Sequence, residues 1–263
     1  MTTLSSYMSI ARDTARWKSI AAKAPDVATQ TRYFQDNIGK AKSAEDLLGN
    51  SRLFNYAMKA YGLGDQTNAK GMMRKVLQEG VGSATTLAYK LNNPNILAFA
   101  KAFDFASKGA QTTGSSALVK TIVDQYEQNA LETDQAKQNP GVGLALYFQR
   151  KAPSLASVYG LLADKRLLQV VQMTLDISPM TALMPIDRQA ALLKKKIDIA
   201  DFKDATKLQS FISRFAAQYD VKYGDASATG STYSNAILLG ASQDAGGGVG
   251  ASLLQALQAY RTY

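Results

Sequence analysis

The sequence predicts an all-α, multihelical fold built from an internal duplication, followed by a Gly/Ser-rich tail and a terminal helix. Three observations predict it. Apolar residues recur at helical spacing along most of the chain. Two stretches align with each other without a gap. The composition then changes near residue 223.

The clearest periodicity is Leu208, Phe211, Ile212, Phe215, Ala216 and Tyr219, a continuous stripe on one helix. Asp204 stands just upstream, where a short acceptor side chain caps a helix start. A second helix carries Val119, Ile122, Val123, Tyr126 and Ala130. A third begins at Asn93-Pro94, with Asn as the cap and Pro at the first helical position, and continues through Ile96, Leu97, Ala100 and Phe103. Ser43-Ala-Glu-Asp46 offers a capping-type start, and Gly62 suits a left-handed helix end. Near the N-terminus, Leu4, Met8, Ala11 and Ala15 form a narrow stripe that reads as core or coiled-coil packing. Trp17 lies beside Arg12, Arg16 and Lys18, so a membrane-interface reading stands next to the packing one. About ten helices joined by short turns are expected, with alternating strand patterns scarce.

The repeat appears when Tyr33 is set against Tyr147, an offset of 114. Residues 33–63 then match 147–177 with 8 identities in 31 positions, where background composition gives roughly 2. Tyr33-Phe34-Gln35 meets Tyr147-Phe148-Gln149, Ser43 meets Ser157, Leu47-Leu48 meets Leu161-Leu162, and Arg52-Leu53 meets Arg166-Leu167. Asn50 pairs with Asp164, and Leu63 with Ile177. The following helices correspond more loosely, 69–77 with 189–197. Two copies of so long a period do not make a solenoid. The expected organisation is a duplicated helical domain over residues 1–222, with copies at about 33–105 and 147–220, and a separate segment over 223–263.

That last segment is rich in Gly, Ser, Ala and Thr, a flexible-linker composition. It ends in a short amphipathic stretch with Leu253, Leu254, Leu257 and Tyr260 on one helical face. A helix this short is marginal alone and must dock on its own domain or on a partner. These four residues are the candidate partner-binding set.

Composition bounds the chemistry. The chain has 263 residues, enough for a buried core, and contains neither Cys nor His. Cysteine or Ser-His-Asp nucleophile systems are therefore impossible, and a zinc site would need carboxylates alone. The longest apolar runs, such as Val142–Phe148, are too short to span a bilayer, and the N-terminus lacks the apolar core of a cleavable signal. Formal net charge is +9. The densest basic runs, Arg150-Lys151, Lys165-Arg166 and Lys194-Lys195-Lys196, adjoin apolar helical stretches and read first as solvated helix faces or ends. No nucleic-acid-binding signature accompanies them.

The remaining motifs read as structural. Gly62-Leu-Gly64-Asp-Gln-Thr67 lacks the third Gly of a dinucleotide fingerprint and follows a helix, so it is read as a helix end and turn. Gly246–Ser252 lacks the Lys of a phosphate loop. Asp198, Asp201 and Asp204 lack the alternate spacing and the bend Gly of a calcium loop, and read as helix caps. Glu127, Glu132 and Asp134 are read as surface solubilisers, since nothing places two of them across a cleft. No catalytic, cofactor or metal residue is assigned, and no enzymatic activity is expected.

Several segments resemble an alphaproteobacterial family of unknown function: Tyr33-Phe-Gln-Asp-Asn-Ile-Gly39, Ala57-Met-Lys-Ala-Tyr-Gly-Leu63, Arg74-Lys-Val-Leu-Gln-Glu-Gly80, Ala163-Asp-Lys-Arg-Leu-Leu168, Asp187-Arg-Gln-Ala-Ala191 and Phe211-Ile-Ser-Arg-Phe215. The resemblance covers roughly residues 1–222. It implies a multihelical, duplicated protein whose gene lies among flagellar genes, and it brings no catalytic residues. Asp176-Ile177 stands where the first copy has Gly62-Leu63, which weakens the expected cap there. The expectation is a non-enzymatic structural or assembly protein of the flagellum, partnered by flagellar components or by itself. A cytoplasmic export adaptor, or a basic module for nucleic acid or an anionic surface, are the alternatives.

Overall fold

The computed structural model describes residues 1–223. Among them it contains fifteen α-helices, short 3-10 turns and no strand, so the fold is all-α. The helices are α1 (Thr3–Arg12), α2 (Thr14–Ala22), α3 (Pro25–Asn37), α4 (Ala44–Gly49), α5 (Ser51–Ala60), α6 (Lys70–Glu79), α7 (Leu87–Lys90), α8 (Pro94–Ala102), α9 (Phe105–Lys108), α10 (Ser116–Gln138), α11 (Pro140–Lys151), α12 (Val158–Leu162), α13 (Lys165–Thr174), α14 (Ile186–Lys194) and α15 (Ala205–Tyr223). The count exceeds the expected ten because several pieces are a single turn, too short to leave a periodic stripe. Tyr223 closes α15 and belongs to the helical body, not to the segment after it.

The caps fall where the side chains dictate. Ser43, Asn50, Asn93, Ser115, Ser157 and Asp164 each accept from backbone N–H groups of the helix they start. Asp204 accepts from Lys207 at the start of α15. Asp13 overturns the single N-terminal stripe. It caps α2 through the Arg16 N–H and so breaks the chain into α1 and α2. Thr3, Tyr7 and Ile10 are the buried residues of α1, whereas Ala15 is exposed. Trp17 packs partly buried against the core. No helix among the described residues is long and apolar enough to cross a membrane.

Two cores result. One gathers α3 to α8 around Phe34, Phe54, Met58, Phe99 and Phe103. The other gathers α11 to α15 around Phe148, Phe202, Phe211 and Phe215, and takes Tyr7 and Ile10 from α1. The long helix α10 serves both, giving Ile122 and Tyr126 to the first and Leu131 to the second. Its approach to α11 is close. A Cβ on Gly143 would lie 2.5 Å from the Ala136 Cβ and 2.8 Å from the Glu132 carbonyl, so only glycine fits. The Asp220 carboxylate accepts from the Thr3 N–H at 2.9 and 3.0 Å, which pins α1 to α15.

Local features recur at the offset of 114. Ser43 and Ser157 cap α4 and α12; Asn50 and Asp164 cap α5 and α13. Gly62 and Asp176 both take positive φ, +76° and +48°. The next N–H reaches back to close each helix end, Leu63 to Met58 and Ile177 to Gln172, both at 2.8 Å. The second cap is therefore formed despite its missing glycine. An aspartate tolerates the left-handed region better than most residues, at some cost.

Candidate functional site

Two places concentrate chemistry. The first lies inside, where the second half meets the first. Tyr147 of α11 donates its phenolic hydrogen to Oδ2 of Asp164, while Asp164 Oδ1 caps α13 through the N–H groups of Arg166 and Leu167. Asn95, from the first turn of α8, donates to Tyr147 Oη at 3.0 Å and to Asp164 Oδ2 at 2.9 Å. Its own carbonyl oxygen accepts from Lys151 at 2.7 Å. The Arg166 guanidinium lies 3.5 Å above the Tyr147 ring centroid and donates to the Gly62 carbonyl at 3.3 Å. Asn93 completes the contact by donating to the Ala163 carbonyl at 3.4 Å.

Electrostatics follows from burial. Loss of water around Lys151, with Arg150 next in line, pulls its ammonium down to about 8, against the opposing pull of Glu132 and Asp164. Burial likewise pushes the Tyr147 phenol above its ordinary range. Arg150 forms a bidentate pair with Glu132 at 2.6 and 2.7 Å, and Glu132 is only 2% exposed. Partner removal there would strand a buried charge.

This arrangement corrects two readings of the sequence. Arg150, Lys151 and Arg166 are not solvated helix ends: Arg150 pairs with Glu132 of α10, Lys151 donates to Asn95 of α8, and Arg166 stacks on Tyr147 and donates to the Gly62 carbonyl. Glu132 is not a surface solubiliser. One signal was present. At aligned positions Asn50 becomes Asp164, an added charge where the rest of the local pattern is kept.

The second place is an open groove of about 690 Å³ on the second half. Leu175, Phe202 and Phe211 form its apolar lining, Lys194, Lys195 and Lys196 its basic side, and Thr206 and Lys207 the start of α15. The lysine run is exposed, as its sequence suggests. Asp201 binds Lys207 at 2.6 Å, and that hydrogen bond holds the Lys207 ammonium above its ordinary range. Asp198 and Asp204 act as caps. The groove offers cationic and apolar contact, and its two carboxylates, Asp198 and Asp201, are engaged in a cap and in the pair with Lys207. Among the described residues no group of three or more carboxylates is placed to hold a metal ion.

Leu253, Leu254, Leu257 and Tyr260 lie outside the described residues, as does the whole Gly/Ser-rich segment from 224 onward.

The chain is similar to known proteins over most of this body. The profile of a family described as protein of unknown function, DUF1217, matches residues 60–208. The fold is similar to the crystal structure of an Agrobacterium tumefaciens protein determined by structural genomics. That similarity has a TM-score of 0.76 and 38% sequence identity, and covers 84% of this chain and 94% of that one. No curated protein matches. With the family profile spanning more than half of its length, and the junction residues from Gly62 to Arg166 inside the matched region, the chain belongs to the DUF1217 family of proteins of unknown function.

Proposed function

We propose that the protein is an internally duplicated, non-enzymatic structural or assembly protein that works through protein–protein contacts, in association with the bacterial flagellum. One observation carries the assembly reading. The richest polar cluster, Tyr147, Asp164, Asn95, Lys151 and Arg166, spends its hydrogen bonds on its own members and on the Gly62 carbonyl. A cluster satisfied in this way fixes the relative position of two packed halves and leaves no group poised for a substrate. The lack of His and Cys in the chain points the same way. The recurrence of caps and helix ends at one offset supports the duplication. The flagellar context rests on the resemblance of the quoted segments alone. Leu253, Leu254, Leu257 and Tyr260 are proposed as additional partner contacts on their spacing.

A clean deletion strain tests the reading. Impaired swimming with normal growth is expected, and normal swimming counts against the flagellar role. Locating the protein in purified filaments or in the cytoplasm separates a structural part from an export adaptor. The groove lined by Lys194, Lys195 and Lys196 favours one second reading, an anion-binding module. Binding to heparin that collapses with added salt would support it.

A further inference from the structure

The junction between the halves is asymmetric. The second half offers a face built from Tyr147, Asp164 and Arg166. The first half receives it with the Gly62 carbonyl and the start of α8, Asn93 and Asn95. Both halves carry a version of each part.

The offered face recurs in the first half. Tyr33 accepts from the Asn50 amide at 3.0 Å, and the Arg52 guanidinium lies 3.9 Å above the Tyr33 ring. These are the counterparts of the Tyr147–Asp164 bond and the Arg166–Tyr147 stack. Yet Arg52 is exposed, and its guanidinium donates only within its own half, to Gln30 at 2.7 Å and to the Thr29 carbonyl at 3.4 Å. The receiving part recurs in the second half. Asp176 repeats the left-handed turn of Gly62. Asp204 caps α15 as Asn93 caps α8, which puts Thr206 in the place of Asn95. Leu175, beside Asp176, and Thr206 both line the open groove. The groove thus includes Thr206, the counterpart of Asn95, and runs beside the turn that matches Gly62.

We infer that one copy of this chain docks head-to-tail on another, the Tyr33–Asn50–Arg52 face of one entering the groove of the next. The occupant is argued from the internal junction, which shows how such a face is received, and from charge. Asp36 and Asp46 are exposed on the free face, where the covered face carries Arg150 and Gly160. The groove presents Lys194, Lys195, Lys196, Lys207 and Arg214 against Asp198 and Asp201. At these two positions the free face carries two carboxylates where the covered one has a guanidinium and a glycine, while Asn50 is neutral where Asp164 is charged; the groove holds an excess of basic over acidic side chains. Because the two surfaces differ, the contact is heterologous, and it repeats into a ring or an open filament. The inference deepens the assembly reading and rests on the equivalence of the two halves.

Sedimentation velocity of the full chain at rising concentration tests it, with two variants. Asp36→Lys with Gly49→Arg alters the free face; Gly49 has open space around it and is exposed. Lys194→Glu with Lys195→Glu and Lys196→Glu alters the groove. Thermal melts of both confirm folding. The wild-type chain is expected to associate, each variant alone to stay monomeric, and an equal mixture to form a heterodimer, since each keeps one working surface. A wild-type chain that stays monomeric, variants that associate as the wild type does, or a mixture that stays monomeric each overturns the inference. So does a monomer that only binds heparin through the lysines. A monomeric chain whose loss still impairs swimming removes this inference and leaves the proposed function standing.

Discussion

Tyr147 hydrogen-bonds to Asp164 in the closed junction, while its counterpart Tyr33 hydrogen-bonds to Asn50 on an open face. The same pair of positions therefore meets two environments within one chain. Asp164 is 6% exposed and accepts four hydrogen bonds, from Tyr147, Asn95 and the Arg166 and Leu167 N–H groups.

Substituting the two cap residues should therefore cost unequal amounts. Asp164→Ala removes a cap and leaves buried donors unsatisfied, so about 3 kcal/mol of stability is expected to be lost. Asn50→Ala removes a cap on a wet surface and should cost about 1 kcal/mol. Urea denaturation of both variants decides this. Equal losses would contradict the asymmetry.

Glycine substitutions should split by location. Gly143→Ala drives a methyl group into Ala136 and the Glu132 carbonyl, and a loss of about 1–3 kcal/mol is expected. Gly71 stands inside α6 with nothing within 4 Å of an added Cβ. Gly71→Ala should raise stability by up to about 1 kcal/mol through helix propensity. Melting temperatures that move in opposite directions are the expected outcome.

Asp176→Gly should stabilise. The residue holds φ +48° with a side chain that disfavours it. Glycine removes that strain, expected at roughly 1 kcal/mol, and keeps the Ile177 to Gln172 closure. The reverse change, Gly62→Ala, should destabilise, because its Cβ would also meet the Arg166 guanidinium at 2.9 Å.

Lys151 gives a pH signature. Its ammonium titrates near 8 in the folded chain, down from the ordinary 10.5. Above about 8 the unfolded chain binds more protons at this site, so this contribution to stability rises with pH toward 10.5. Buried Tyr7 and Tyr61, both pushed up to about 12 from 10, act oppositely: their stabilisation is full below 10 and is lost above it. The clean window is therefore about pH 8 to 10. Over that window the wild type should gain stability relative to Lys151→Met, measured as the difference in urea midpoint. A constant difference would place Lys151 in water.

The sequence by itself determined the longer helices and most of their caps, but not the single-turn pieces or the break at Asp13. Periodic stripes such as Leu208 to Tyr219, and caps such as Ser43, Asn93 and Asp204, act through neighbours three or four residues away, so they are legible in one dimension. The matching residues at an offset of 114 are legible for the same reason, since they include those local cap signals. The tertiary structure alone decided which basic residues are half-buried and paired. Arg150 and Lys151 read like Lys194 and Lys195 in sequence, each pair closing a helix with an apolar stretch before it. What separates them is Glu132, 18 residues before Arg150, and Asn95, 56 before Lys151, brought alongside by the packing of α10 and α8. The energy of a charge depends on who stands next to it in space and how much water remains. That information is absent from a helix's own pattern and appears only when the two halves close on each other.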